Sequence, residues 1–193
     1  MQKGKFIVLD GIDGVGTTTH SQALKAWLEK QGYAVIWTQE PTNRRIGSLI
    51  QELIKSDKTS PITDALLFAA DRNDHTENII KPALAADKIV ISDRYVEASI
   101  AYQTAAGVDM SWILELNKFV TQPDLTIILD IKPEIGLQRK TKLEDKFENA
   151  AFLHKVRNIY LQRAKMQQYP IINTNRSISQ VQTEIQELIR SIL

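Results

Sequence analysis

Short apolar runs punctuate the chain at Phe6 to Leu9, Ala34 to Trp37, Lys88 to Ile91 and Leu125 to Leu129, with Ile171-Ile172 as a shorter fifth. Several are nearly continuous in apolar residues, the pattern of strands buried on both faces of a parallel sheet. Between them apolar positions recur at helical spacing over Thr18–Lys30, Ile46–Ser56, Ile62–Ala86, Met110–Val120, Glu134–Lys142, Ala150–Gln168 and Ser177–Leu193. Strands and helices alternating in this way predict an α/β fold of βαβ units with helices on both faces of the sheet. No repeat, low-complexity tract or Pro/Gly/Ser linker divides the 193 residues, so 1–193 is expected to be a single domain. Ligands of such sheets sit beyond the carboxyl ends of the strands.

The first run ends in Asp10 and enters a turn holding Gly11, Gly14 and Gly16, then Thr17, Thr18 and Thr19, then helical spacing at Ala23, Ala26 and Trp27. Strand, glycine loop, hydroxyls and helix is the layout of a P-loop, whose backbone N–H groups and helix N-terminus hold phosphate. The pattern G-x-x-x-x-G-K-[ST] runs through Gly11, Ile12, Asp13, Gly14, Val15 and Gly16 and puts Thr18 at the hydroxyl position, but Thr17 occupies the lysine position. On the loop alone, an ordinary turn capped by threonines stays open. The other strand ends are Thr38-Gln39-Glu40-Pro41, followed by Arg44 and Arg45; Ser92-Asp93-Arg94-Tyr95; and Asp130. Beside a phosphate loop, Asp93 suits Mg²⁺, bound directly or through water, and Arg94 suits a phosphate fork.

Composition narrows the field. The 24 basic and 23 acidic residues leave a net charge of +1, so phosphate affinity has to come from local clusters, and neither nucleic acid nor membrane is an expected partner. The chain has no cysteine, which excludes disulfides, thiolate chemistry and cysteine-based metal sites. No apolar run approaches the roughly 18 residues of a membrane span and no signal-peptide h-region is visible, so a cytoplasmic location is expected.

Phe68 and Arg72 lie four apart on one helical face and can together stack on a base and bond its edge, although Phe68 among Leu66, Leu67 and Ala69 reads by itself as core. His75 has no second histidine nearby and reads as a surface or helix-end residue rather than a metal ligand. Tyr102 and Gln103 follow Asp93-Arg94 by one or two helical turns, and spacing leaves a sugar or base contact and a plain amphipathic surface equally open. In 139–148, Arg139, Lys140, Lys142 and Lys146 alternate with acidic residues, either as a solvated helix end or as a lid that carries charge onto phosphates.

The stretches FIVLDGIDGVGTTTHSQAL, TQEPTNRRIG, LLFAADRNDH, ISDRYVEASIAYQ, PDLTIILDIKPEIGLQR and DKFE resemble, in order, those of thymidylate kinase, a P-loop nucleoside monophosphate kinase. The resemblance implies a three-layer P-loop kinase fold with a five-stranded parallel sheet, a lid around 139–149, a homodimer, and phosphorylation of dTMP to dTDP with ATP and Mg²⁺. By position it implies that Gly11 to Thr18 surround the ATP β-phosphate, with Thr18 and Asp93 near the metal. It places Asp13 at the sugar 3′-hydroxyl of dTMP, Phe68 and Arg72 at thymine, Arg94 at the monophosphate, and Glu40, Tyr102 and Gln103 elsewhere in the acceptor site. Tyr102 is tied in the family to exclusion of a 2′-hydroxyl. Arg139 and the segment at Asn175 and Arg176 correspond to the adenine side.

Three departures remove charge or its geometry: Thr17 for the loop lysine, Gln39 for an arginine common before Glu-Pro, and Lys140, Lys142 and Lys146 where bacterial-type lids carry arginine. A lid lysine or Arg44 or Arg45 is the expected source of the missing cation. A nucleotide-binding protein with weak or lost phosphotransfer and a kinase for another nucleoside monophosphate remain the alternatives.

Overall fold

The computed structural model describes residues 4–56, 59–139, 147 and 149–193. Strand β1 (Lys5–Gly11) lies at the centre of a five-stranded sheet, between β3 (Ile89–Asp93) and β4 (Leu125–Asp130), with β2 (Val35–Gln39) and β5 (Ile171–Asn173) at the edges. The order is β2-β3-β1-β4-β5 and every pairing is parallel, as the continuous apolar runs predict. Successive β1 side chains alternate between faces. Ile7 and Leu9 join a large core with Leu24, Leu28, Val156 and Ile185, while Phe6 and Val8 pack with Ile80, Ala83, Tyr95 and Val120. Both faces are therefore covered, and each fully buried leucine or isoleucine contributes about 1.5–3 kcal/mol.

Helix α1 (Thr17–Lys30) starts at Gly16, whose φ of 98° is a left-handed conformation that suits glycine. Helix α2 (Arg45–Ser56) follows β2. The long stretch expected as one helix after residue 61 runs as α3 (Pro61–His75), a π-helical segment Thr76–Ile80 and α4 (Lys81–Ala85). Helix α5 (Val96–Ala105) is absent from the sequence expectation because most of it is buried, so no polar stripe marks its period. Then come α6 (Met110–Leu116), shorter than predicted, α7 (Pro133–Gln138), α8 (Ala150–Gln167), capped by Asn149, and α9 (Ile178–Arg190), whose Ser177 and Gln180 form a reciprocal capping box. No described helix is long and apolar enough to cross a membrane.

Register sets the site. Leu9 and Gln39 both pair with Asp93, and Gly11 pairs with Leu129, so the ends of β1, β2, β3 and β4 meet at one edge.

Candidate active site

At that edge a cavity of about 690 Å³ opens, and the loop after β1 forms part of its wall through Asp13, Gly14, Gly16, Thr17 and Thr18. Ile12 and Val15 turn the other way into the core and anchor the loop. Gly14 (φ 75°) meets α7 backbone to backbone: a Cβ there would lie 2.0 Å from the Gly136 carbonyl oxygen. The loop is thus clamped against α7, while Gly14, Gly16, Thr17 and Thr18 face the cavity at the N-terminus of α1.

Asp13 connects the loop to α5. Its Oδ1 accepts from Arg94 Nη2 (2.8 Å), its Oδ2 accepts from the Tyr102 hydroxyl (2.8 Å), and its own N–H donates to that hydroxyl oxygen (3.0 Å). The Arg94 guanidinium also lies 5.3 Å over the Tyr102 ring, and Arg94 itself takes a left-handed φ of 69°. Burial holds the Tyr102 phenol well above its usual pKa, so it serves as a neutral donor. Beneath this layer sits Asp10, fully buried, with Oδ1 accepting from Tyr160 OH (2.6 Å) and Gly11 N–H (2.9 Å) and Oδ2 from Tyr95 and Ala98 N–H (3.1 Å each). Burial pushes its carboxyl up to about 7, against these donors and the Arg94 charge, which pull it down.

The metal expectation can be tested on the oxygen atoms. The Thr18 hydroxyl donates to Asp93 Oδ2, while Asp93 Oδ1 is buried with no partner among the described residues. One orphaned carboxylate oxygen beside a hydroxyl at the phosphate loop fits a hydrated Mg²⁺ that keeps waters and phosphate oxygens as its other ligands. No cluster of three His, Cys, Asp or Glu among the described residues offers an all-protein cage.

The opposite wall comes from α3 and α5. Phe68 is half-buried and lines the cavity rather than the core. Arg72 is fully buried and tightly held: Nε donates to Glu40 Oε2 (2.8 Å), Nη1 to Asn117 Oδ1 (2.6 Å), and Nη2 to Tyr95 O (3.0 Å) and Ser99 Oγ (2.8 Å). Four of its five N–H groups are thereby engaged, and among the described residues one on Nη1 remains for the cavity. Gln103 is buried, lines the cavity, and has no partner on Oε1 among the described residues. His75 corrects the sequence expectation. It is fully buried, bonding Glu40 Oε1 through Nδ1 (3.0 Å) and Thr38 Oγ1 through Nε2 (2.7 Å), because the end of β2 supplies both partners. Thr42 and Asp71 tie down the next turn of that loop, with Thr42 Oγ1 donating to Asp71 Oδ1 at 2.6 Å.

On the third side Arg139 donates to Thr174 O (2.8 Å) and, at longer range, to the Gly14 and Val15 carbonyls (3.4 and 3.5 Å). Arg176 lines the cavity near it; Asn175 is not among the lining residues. Lys140, Lys142 and Lys146 lie outside the described residues, whereas Phe147 is described and packs edge-on to Tyr102, with centroids 5.5 Å apart. Arg44 is paired with Asp74, and neither Arg44 nor Arg45 lines the cavity. Gln39 lines it, with its amide 3.5 Å from the Pro41 carbonyl. The last acidic strand end, Asp130, is held by Arg157 in a two-bond pair (2.6 and 2.8 Å) and plays a structural part.

Sequence reasoning missed His20, Asn117, Ser99, Tyr160 and the depth of Asp10. Only His20 and Asp10, inside the loop motif, carried a local signal. His20 lines the cavity beside Thr17, and burial, with Arg139 nearby, lowers its pKa.

The thymidylate kinase family model matches residues 9–185. The chain is 41% identical over 201 residues to the probable thymidylate kinase of Thermococcus kodakarensis, covering 97% of this chain and 98% of that protein. It is 42% identical to the probable thymidylate kinase of Pyrococcus horikoshii, with 97% of each chain covered. It is 43% identical over 191 residues to that of Pyrobaculum aerophilum, again with 97% of each covered.

Proposed function

The chain belongs to the thymidylate kinase family, and from that premise we propose that it phosphorylates dTMP to dTDP, with ATP as donor and Mg²⁺ as cofactor. The observation that carries the acceptor reading is the pairing of one remaining Arg72 N–H with the unpartnered Gln103 Oε1 in the same cavity as Phe68. A donor and an acceptor together suit a base edge that offers a carbonyl next to an N–H, as thymine does. Cytosine reverses that order and leaves buried polar groups unpaired. Phe68 supplies the stacking face.

In this reading the phosphate loop and Arg139 receive ATP, Arg94 grips the dTMP phosphate, and Asp13 meets the sugar hydroxyl. The dTMP phosphate is already anionic, so the chain needs no strong general base and its work is alignment and neutralisation. Asp13 and Tyr102 hold Arg94 from two sides, which supports a guanidinium oriented in advance for the acceptor phosphate. Thr18 and Asp93 would hold Mg²⁺, which would supply charge neutralisation to the phosphates. Lys140, Lys142 or Lys146 is proposed as the cation that replaces the loop lysine, since Arg44 and Arg45 stand away from the cavity. A homodimer is also proposed. Support comes from the exposed Leu49, Ile62 and Leu66 on the mutually packed α2 and α3.

Thr17 favours a second reading, a nucleotide binder that transfers phosphate poorly. ADP release should be measured with ATP, Mg²⁺ and a panel of dTMP, dUMP, dCMP and UMP, on this chain and on Thr17→Lys. Turnover with dTMP well above dCMP is expected of the unmodified chain. A preference for dCMP rejects the acceptor reading, and activity only in Thr17→Lys establishes the second one.

A further inference from the structure

Gln182 of α9 fixes the state of the His20 ring. Its side-chain nitrogen lies 3.0 Å from the His20 backbone oxygen and 3.0 Å from His20 Nδ1. A carbonyl oxygen only accepts, so the amide atom facing it is the nitrogen, and the same NH₂ donates its second proton to Nδ1. An imidazole that accepts at Nδ1 carries its proton on Nε2. That edge is turned to the loop: a Cβ built on Gly16 would lie 3.3 Å from His20 Cδ2 and 3.6 Å from Nε2. The ring is 4% exposed and lines the main cavity, one helical turn beyond the last glycine of the loop. Fixed in orientation by α9 and placed where the loop lacks lysine, Nε2–H has the cavity as its remaining outlet.

We propose that His20 is a binding residue for the donor nucleotide, with Nε2–H donating to a phosphate oxygen at the Gly16 end of the loop. The inference rests on the reading that this loop takes ATP. His20 restores direction but not charge, so it anchors the phosphate chain while neutralisation comes from elsewhere. Gln182 acts through it as a positioning residue.

The test uses the whole chain with histidine labelled by ¹⁵N. Titration with ADP and Mg²⁺ is expected to shift the His20 Nε2 resonance while the ring stays in the Nε2–H tautomer. His20→Ala is expected to raise KM for ATP about tenfold or more, the effect of losing one hydrogen bond to a charged group, and to leave KM for dTMP unchanged. Gln182→Leu, which keeps the ring but releases it, should raise the same constant by a smaller factor. If His20 only ties α1 to α9, His20→Ala lowers Tm with ADP affinity intact, and that result overturns the proposal. Should that variant fail to fold, the labelled unmodified chain decides alone: ADP bound with no His20 response refutes the assignment. An unmodified chain that binds no ADP overturns the donor reading and this inference with it.

Discussion

Replacing Asp10 by asparagine tests how the protein tolerates a carboxylate under its phosphate loop. Burial pushes this carboxyl from an ordinary 3.8 up to about 7. A raised folded pKa means that the native state holds a proton the unfolded chain has already lost. The contribution of Asp10 to stability is therefore full below pH 4 and declines as pH rises from 4 through 7. With those two values, linkage gives a decline of about 2–3 kcal/mol between pH 5 and 8. Asparagine cannot ionise, but it puts an NH₂ that cannot accept in place of one of the two oxygens that take bonds from Tyr160, Gly11, Tyr95 and Ala98, so the variant starts less stable. Urea unfolding of both proteins across pH 5 to 8 isolates the contribution of Asp10, since every other titrating group is shared. The stability gap between them should shrink by about 2–3 kcal/mol as pH rises. A gap that is constant, or that widens with pH, would show that the four donors and Arg94 outweigh burial and that Asp10 is a stable anion.

Arg72→Ala should cost about 3–5 kcal/mol in urea melts, because it strands the buried Glu40 carboxylate, and a loss under 1 kcal/mol contradicts the network drawn here. Gly14→Ala places a Cβ 2.0 Å from the Gly136 oxygen at a φ of 75°, so ADP binding by calorimetry should be lost; wild-type affinity would mean that the loop and α7 are free to separate. Thr18→Val removes the hydroxyl beside Asp93 and should raise the Mg²⁺ concentration for half-maximal turnover severalfold, an effect that an unchanged Mg²⁺ titration would rule out.

The alternation of strands and helices could be read from the chain because the central strands are buried on both faces and the helices between them are mostly amphipathic. Helix α5 escaped for the opposite reason: Ser99, Ile100, Ala101, Tyr102 and Gln103 are all buried, and a helix covered on most sides has no stripe to find. The π-helical segment Thr76–Ile80 left the apolar spacing helical and so passed unseen. At the site, the glycine loop and Asp93-Arg94 are contiguous motifs and announce themselves. His75 does not, because its surroundings are set by Thr38 and Glu40, some 35 residues earlier in the chain. Asn117 and Tyr160 likewise acquire their parts only when α6 and α8 fold back onto the sheet.

The contact between Gly14 and Gly136 has a consequence for the order of assembly. The loop emerges early in synthesis, yet the backbone surface it is moulded against, together with the β4 strand that flanks β1, is more than a hundred residues behind it. A growing chain that stops short of α7 therefore has Ile12, Val15 and Asp13 to anchor the loop but lacks the backbone wall that presses on Gly14. Any stabilisation that a bound ligand lends to the loop is therefore expected in full only once the later half has arrived.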